Sequence, residues 1–287
     1  MKTEKYLINE IADLESFLNL VEAYEEISAL RMRKVKKSVL SRREFLEGLN
    51  EAFSYIIYSY SEYRKALKKK TRLNILQTNG RNLLILLSSN TGLYGDIVKR
   101  VFNDFISAIS SSNDKTDILI TGKMGKQLYD NTRIKTPYKY FEISDTANND
   151  ENVKTVLEYI NNYESISVFH GVFNSILSQE THRTFLTGEI IRMESKGGTY
   201  SKSFLFEPSI ERVAEYFEKQ ILALIFEQSV FESSLSKFAS RMVSLDAAAS
   251  NINEKVKVLD FDLQKAQHRK TNANIQENIS GSSLWLQ

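Results

Sequence analysis

Cysteine is absent from the 287 residues. That excludes disulfides, thiolate metal sites and thiol nucleophiles, and it fits a reducing compartment. Proline is nearly absent: Pro137 and Pro208 are the only two. Because proline interrupts helix interiors, the stretches before Pro137 and after Pro208 are free to form very long helices. Charge of one sign is also lacking. Thirty-eight Lys+Arg against 36 Asp+Glu leave a formal charge of +2, so no strong field points to nucleic acid or acidic lipid. No apolar run approaches the roughly 20 residues that span a bilayer. The start, "MKTEKYLINEIADLE", has neither a signal-type apolar block nor a transit-peptide composition. The expectation is an intracellular protein of one or two domains, translated in its mature form.

What is present is a seam at each end. From Phe217 to Ala266 apolar residues recur in alternating steps of four and three: Phe217, Ile221, Leu224, Gln228, Phe231, Leu235, Phe238, Met242, Leu245, Ala249, Ile252, Val256, Leu259, Leu263 and Ala266. Only Gln228 is polar. Such a 3.5-residue repeat predicts a helix wound on a partner helix. It should start near Pro208, in the first turn, and run to about Ile279, on the order of 100 Å at 1.5 Å per residue. The N-terminal end matches it with Leu7, Ile11, Leu14, Leu18 and Val21, then Leu46, Leu49, Phe53, Ile56, Tyr60, Tyr63 and Leu67, with the register interrupted at Glu25 and Ser28. The two helices pair most simply antiparallel. By periodicity alone this is a structural coiled coil.

Between the seams the pattern alternates. Leu83–Leu87 and Ile118–Ile120 read as strands, each followed by a glycine turn and a helix. "YKYFEISD" reads as a third strand, "NVKTVLEYINNY" as a helix, and "SISVFHGVFNSILSQETHRTFL" as two β-rich segments. Ser195–Phe204 reads as a flexible loop. Strands alternating with helices imply an open, largely parallel sheet. The predicted organisation is an N-terminal coiled-coil helix over 1–72, an inserted α/β domain of Rossmann-like type over 73–206, and a C-terminal coiled-coil helix over 207–287.

The first strand leads into "SSNTGLYGD", which begins like a phosphate cradle. It completes neither G-x-G-x-x-G nor G-x-x-x-x-G-K-[ST], and Asp96 stands where a phosphate needs positive potential. "TGKMGK" completes neither pattern. His170, His182 and His268 lack metal-ligand spacing, and Ser88 and Ser89 lack a nucleophile elbow. The basic runs Arg31–Lys37 and Arg64–Lys70 make either a solvated face or a track for an acidic partner. No cofactor, metal or nucleic acid is expected, and no catalytic site.

Several stretches, in order along almost the whole chain, carry a family likeness. They are Glu207-Pro208-Ser209, Glu232-Ser233 with Ser236, Ser240-Arg241-Met242 and Asn251, together with "ISALRMRKV", "SSNTGLYGD", "TGKMG" and "VFNSILSQE". In these the chain resembles the gamma subunit of F-type rotary ATP synthases. Departures are Tyr24 for a usual Met, Asn90 and Tyr94 for Asp and Cys, and the closing region Gln267–Asn274. There Gln267, His268 and Asn272 replace the Arg, Gln and Thr that meet a loop of the catalytic ring in the family. The resemblance implies a non-catalytic shaft, coupling ion (expected proton) translocation to ATP synthesis or hydrolysis. Its implied partners are the alternating alpha and beta subunits of a hexamer, with an epsilon-type subunit and a membrane rotor ring at the foot. It would lie peripherally at the cytoplasmic face of the cell membrane. Arg31, Arg33, Lys34, Arg241 and Asp246 are the expected torque contacts, and Gln267, His268 and Asn272 the expected catch contacts. The alternatives are a coiled-coil scaffold, a shaft repurposed away from ion transport, and a nucleotide-using α/β enzyme.

Overall fold

The computed structural model describes residues 3–66, 79–112, 115–134, 136–146, 151–186 and 206–284. Two very long helices bracket an α/β segment: α1 (Glu4–Ala66) at the start and α5 (Ile210–Leu284) at the end. Between them come β1 (Asn82–Leu87), α2 (Ile97–Ser110), β2 (Thr116–Thr121), α3 (Lys123–Asp130), β3 (Tyr138–Phe141), α4 (Glu151–Ile160), β4 (Ser165–Phe173) and β5 (Gln179–Phe185). By contact the chain divides into two compact units, Met1–Ser28 with Met242–Gln287, and Ala29–Arg241.

The larger unit holds a five-stranded sheet in the order β3-β2-β1-β4-β5. The pairs β1–β2, β1–β4 and β2–β3 are parallel, and β5 returns antiparallel to β4. One face packs Leu84, Leu86, Ile118, Ile120 and Phe169 under α2 and α3. The other packs Leu83, Ile85, Leu87, Leu119, Ile166 and Val168 against α4, α5 and Ile56 of α1. Because both faces are covered, β1 reads as an unbroken apolar run rather than an alternation. The largely parallel sheet expected from the sequence is thereby observed.

Every seam position expected on α5 from Phe217 to Ala266 is buried or half-buried. On α1 the expected interruption is not one of register. Steps of four and three from Val21 land on Glu25, Ser28, Met32, Val35, Val39, Arg42 and Leu46. Of these, Ser28 and Val39 are fully enclosed and Met32 and Val35 are buried. The phase persists and only the chemistry changes. The Ser28 hydroxyl is satisfied inside its own helix by the Tyr24 carbonyl at 2.7 Å. Pro208 also departs from expectation: it precedes α5 rather than filling its first turn. Ser209 caps the helix instead, its Oγ accepting the Arg212 amide at 3.3 Å. The side chains of Phe53, Tyr60 and Tyr63, all of Leu67, and the loop Ser195–Phe204 lie outside the described residues.

In each unit the long helices run antiparallel. In the smaller, Leu7, Ile11 and Leu259 form the core, and Glu10 and Glu4 pair with Lys255 and Lys270. In the larger, Arg31 lies over the Phe238 ring and Arg42 pairs with Glu227 at 2.8 Å.

Candidate functional site

Helix α5 is buried on all sides from Gln228 to Arg241, apart from a half-buried Phe231. A helix enclosed all round must fit close neighbours on every face, and a charge left unpaired there is costly. Hence the small Ser229, Ser233, Ser234, Ser236 and Ser240, and hence a partner for every charge. Ser229 and Ser234 donate to carbonyls one turn back. Glu232 takes a bidentate pair of bonds from Arg43 of α1, and Arg43 also reaches the Phe173 carbonyl of β4. Strand β4 approaches so closely that a Cβ on Gly171 would lie 2.3 Å from Ser236 Oγ.

One turn further along α5 stand Lys237 and Arg241, aimed at the carboxyl ends of β1 and β3. In open parallel sheets that edge is where ligands bind. Here it is filled from within. The Lys237 ammonium donates to the Ser88 carbonyl at 2.9 Å and to Asp145 Oδ1 at 3.2 Å. Asp145 in turn accepts the amides of Asn90 at 3.1 Å and Thr91 at 3.2 Å, the Thr91 hydroxyl at 3.2 Å, and the Tyr94 hydroxyl at 3.3 Å. Arg241 holds the other side of the same loop. It donates to the carbonyls of Leu93 at 3.1 Å and Gly92 at 2.6 Å. Its guanidinium carbon sits 3.8 Å from the Tyr94 ring centroid. Asn90 and Tyr94, the two departures in this loop, are both used. Asn90 ties its loop to the second glycine turn by accepting the Lys123 amide and to the segment after β3 by donating to the Ile143 carbonyl, and Tyr94 packs edge-on against Phe238.

The glycines are needed where backbones meet. Gly122 has φ +81°, and a Cβ on it would lie 2.7 Å from the Ser89 carbonyl oxygen. Leu93 also adopts positive φ, at +64°, while its side chain stays exposed.

Burial pushes the Asp145 carboxyl up, but the Lys237 charge beside it and the amides of Asn90 and Thr91 outweigh this, so it lies below the usual range. Burial pulls the Lys237 ammonium down against the attraction of Asp145. Burial, then the Asp145 charge, pushes the Tyr94 phenol up.

The expected contact residues fall into different surroundings. Arg31, Arg33 and Lys34 are exposed on α1 in the larger unit; Asp246, Gln267, His268 and Asn272 are exposed on α5 in the smaller. Arg241 is buried and committed to the glycine loop. Sequence reasoning missed Asp145 and Lys237. The available signals were an acid just after a parallel strand and a lone lysine in a serine-rich helix four residues before Arg241. Among the described residues no group of three or more potential metal ligands is brought together, and no helix is long and apolar enough to cross a membrane.

A family model described as ATP synthase matches residues 3–283. The ATP synthase gamma chain of Geotalea daltonii is 23% identical, covering 98% of this chain and 98% of its own length. That of Amoebophilus asiaticus is 22% identical over the whole of both. The structure is similar to a rotor chain of the Euglena gracilis mitochondrial ATP synthase, with a TM-score of 0.62 at 16% identity, covering 93% of this chain and 98% of that one. It is also similar to a chain of the Tetrahymena thermophila mitochondrial central stalk and c-ring assembly, with a TM-score of 0.57 at 17% identity, covering 80% and 99%.

Proposed function

Since the chain belongs to the ATP synthase gamma-chain family, we propose that it is the central-stalk rotor subunit of an F-type ATP synthase. It couples ion translocation, expected to be of protons, to ATP synthesis or hydrolysis in a hexamer of alternating alpha and beta subunits. An epsilon-type subunit and the membrane rotor ring meet it at the foot. It touches the membrane only through them, at the cytoplasmic face, and contributes no catalytic residue.

The observation that carries this reading is how α5 is anchored. A rotor fails if its driven domain slips around its shaft. Between Gln228 and Arg241, α5 is held by Arg43–Glu232, Lys237–Asp145 and Arg241 on the glycine loop. The buried Lys237–Asp145 pair resists sliding most, because a displaced register leaves its charges unpaired at a cost of about 3–5 kcal/mol, whereas the Arg43–Glu232 pair, with Arg43 40% exposed, adds less. A pair of helices lacks the symmetry of a six-membered ring. It therefore presents different faces to the catalytic sites, and rotation biases them between states of different affinity. The exposed Arg31, Arg33, Lys34 and Asp246 serve as torque contacts, and Gln267, His268 and Asn272 as catch contacts, with push spread over many of them.

A tagged chain purified gently from its native host tests this, with ATP-driven ion pumping measured in inverted membrane vesicles. Two related nucleotide-binding subunits in excess over this chain, with pumping, support the assignment. ATP hydrolysis without pumping keeps the shaft and removes the coupling. Recovery alone or with unrelated partners overturns the reading in favour of a scaffold.

A further inference from the structure

We propose that the glycine loop Ser88–Asp96 is an oxyanion-binding nest whose resident anion is the chain's own Asp145 carboxylate, with Lys237 and Arg241 as positioning residues that fix the loop on helix α5. A strand–loop–helix at the carboxyl edge of a parallel sheet offers converging amides to an oxyanion. In this chain the successive amides of Asn90 and Thr91 converge on one carboxylate, joined by the hydroxyls of Thr91 and Tyr94. The buried Lys237 supplies the countercharge. The loop's donors thus face Asp145, while its acceptors, the carbonyls of Gly92 and Leu93, face Arg241. These amides and carbonyls are thus satisfied from within. The conformation is further fixed by positive φ at Leu93 and Gly95. Gly122 closes the turn against Ser89, with the Met124 amide donating to the Ser89 carbonyl at 2.8 Å.

A nest defined by its anion accepts a substitute of the same chemistry. Asp145→Ala removes the carboxyl and leaves its volume, the converging donors and Lys237. Formate supplies the missing group. The full-length Asp145→Ala chain is expected to melt below wild type and to be cleaved by chymotrypsin after Tyr94, which is buried in the native loop. Formate should raise its melting temperature saturably, by roughly 5 °C at concentrations far above the dissociation constant. It should also suppress the cleavage, while chloride at equal ionic strength does neither and wild type responds to neither salt. Equal effects of formate and chloride, or a loop as protected in Asp145→Ala as in wild type, would overturn the proposal. If Asp145→Ala does not fold, Asp145→Asn decides. It keeps the volume and loses the charge, so it should melt below wild type and be cleaved faster after Tyr94. An Asn variant indistinguishable from wild type in both measurements overturns the proposal as well. The nest lies within one chain, so these outcomes read the same whether or not that chain turns in a ring.

Discussion

His170 is wholly enclosed on β4, with Nε2 2.9 Å from the Thr184 hydroxyl and Nδ1 3.2 Å from the Gly171 carbonyl. The His182 ring faces it across the hairpin with centroids 6.0 Å apart. Burial, reinforced by His182, pulls its pKa down to about 4. In the unfolded chain the ring protonates near its ordinary value of about 6.5. Between those two values the unfolded state binds the extra proton, so stability is full above about pH 6.5 and falls as pH drops towards 4. The loss amounts to roughly 3 kcal/mol at most. Asp145 acts in a lower window: its carboxyl is depressed, so its contribution is lost only as pH falls below the ordinary carboxylate value of about 4. Urea melts of wild type and His170→Gln at pH 7.5, 6.0 and 5.0 separate the two. Wild type should weaken steadily across the series and His170→Gln much less. Parallel behaviour would show that His170 is not the titrating group.

At the scale of the element, β4 and α5 approach each other closely at Gly171. A methyl there meets Ser236 Oγ at 2.3 Å and Ile97 Cγ1 at 3.0 Å. Gly171→Ala should destabilise by about 1–3 kcal/mol through overpacking. Adding Ser236→Ala removes the nearest atom and should restore part of the loss, whereas two independent sites would simply add. A double-mutant cycle by chemical denaturation distinguishes these outcomes. The same element shows how far the sequence carries. The 4-3 repeat placed the seam of α5 correctly, because apolar side chains at that spacing have one way to be covered. It gave no hint that Gln228–Arg241 is enclosed on every side, because serines count as polar in any periodicity yet are what close packing requires. Strand β1 is legible as an apolar run bounded by turns, β2 as a short strand before a glycine turn, and β4 as a β-rich segment. The Lys237–Asp145 pair was not, since its members stand far apart in sequence and meet only once the sheet order is known. Ser28 reads as a break because its side chain is polar, although its hydroxyl is satisfied within α1.

On the scale of the molecule, the two units differ in how well they are held. The larger has two apolar cores and the buried Lys237–Asp145 pair. The smaller has a narrow seam centred on Leu7, Ile11 and Leu259, and its ion pairs involve exposed lysines, which contribute at most about 1 kcal/mol each. From Gln267 to Ser280 every residue of α5 is exposed, including Ile275 and Ile279. A stretch of helix without a buried side chain, held by surface contacts such as Lys270–Glu4, draws little stability from its own chain. Amide exchange in the isolated protein should therefore be slowest over Gln228–Arg241 and fast over Gln267–Ser280, since exchange follows local opening. If the chain is a shaft held by partner subunits, the same 267–280 amides should slow by at least about tenfold in the purified assembly. Those of 228–241, already protected from within, should change little. Unchanged exchange at 267–280 on assembly would mean that this stretch of helix does not bear on the partners, and the catch contacts assigned to Gln267, His268 and Asn272 would have to be abandoned.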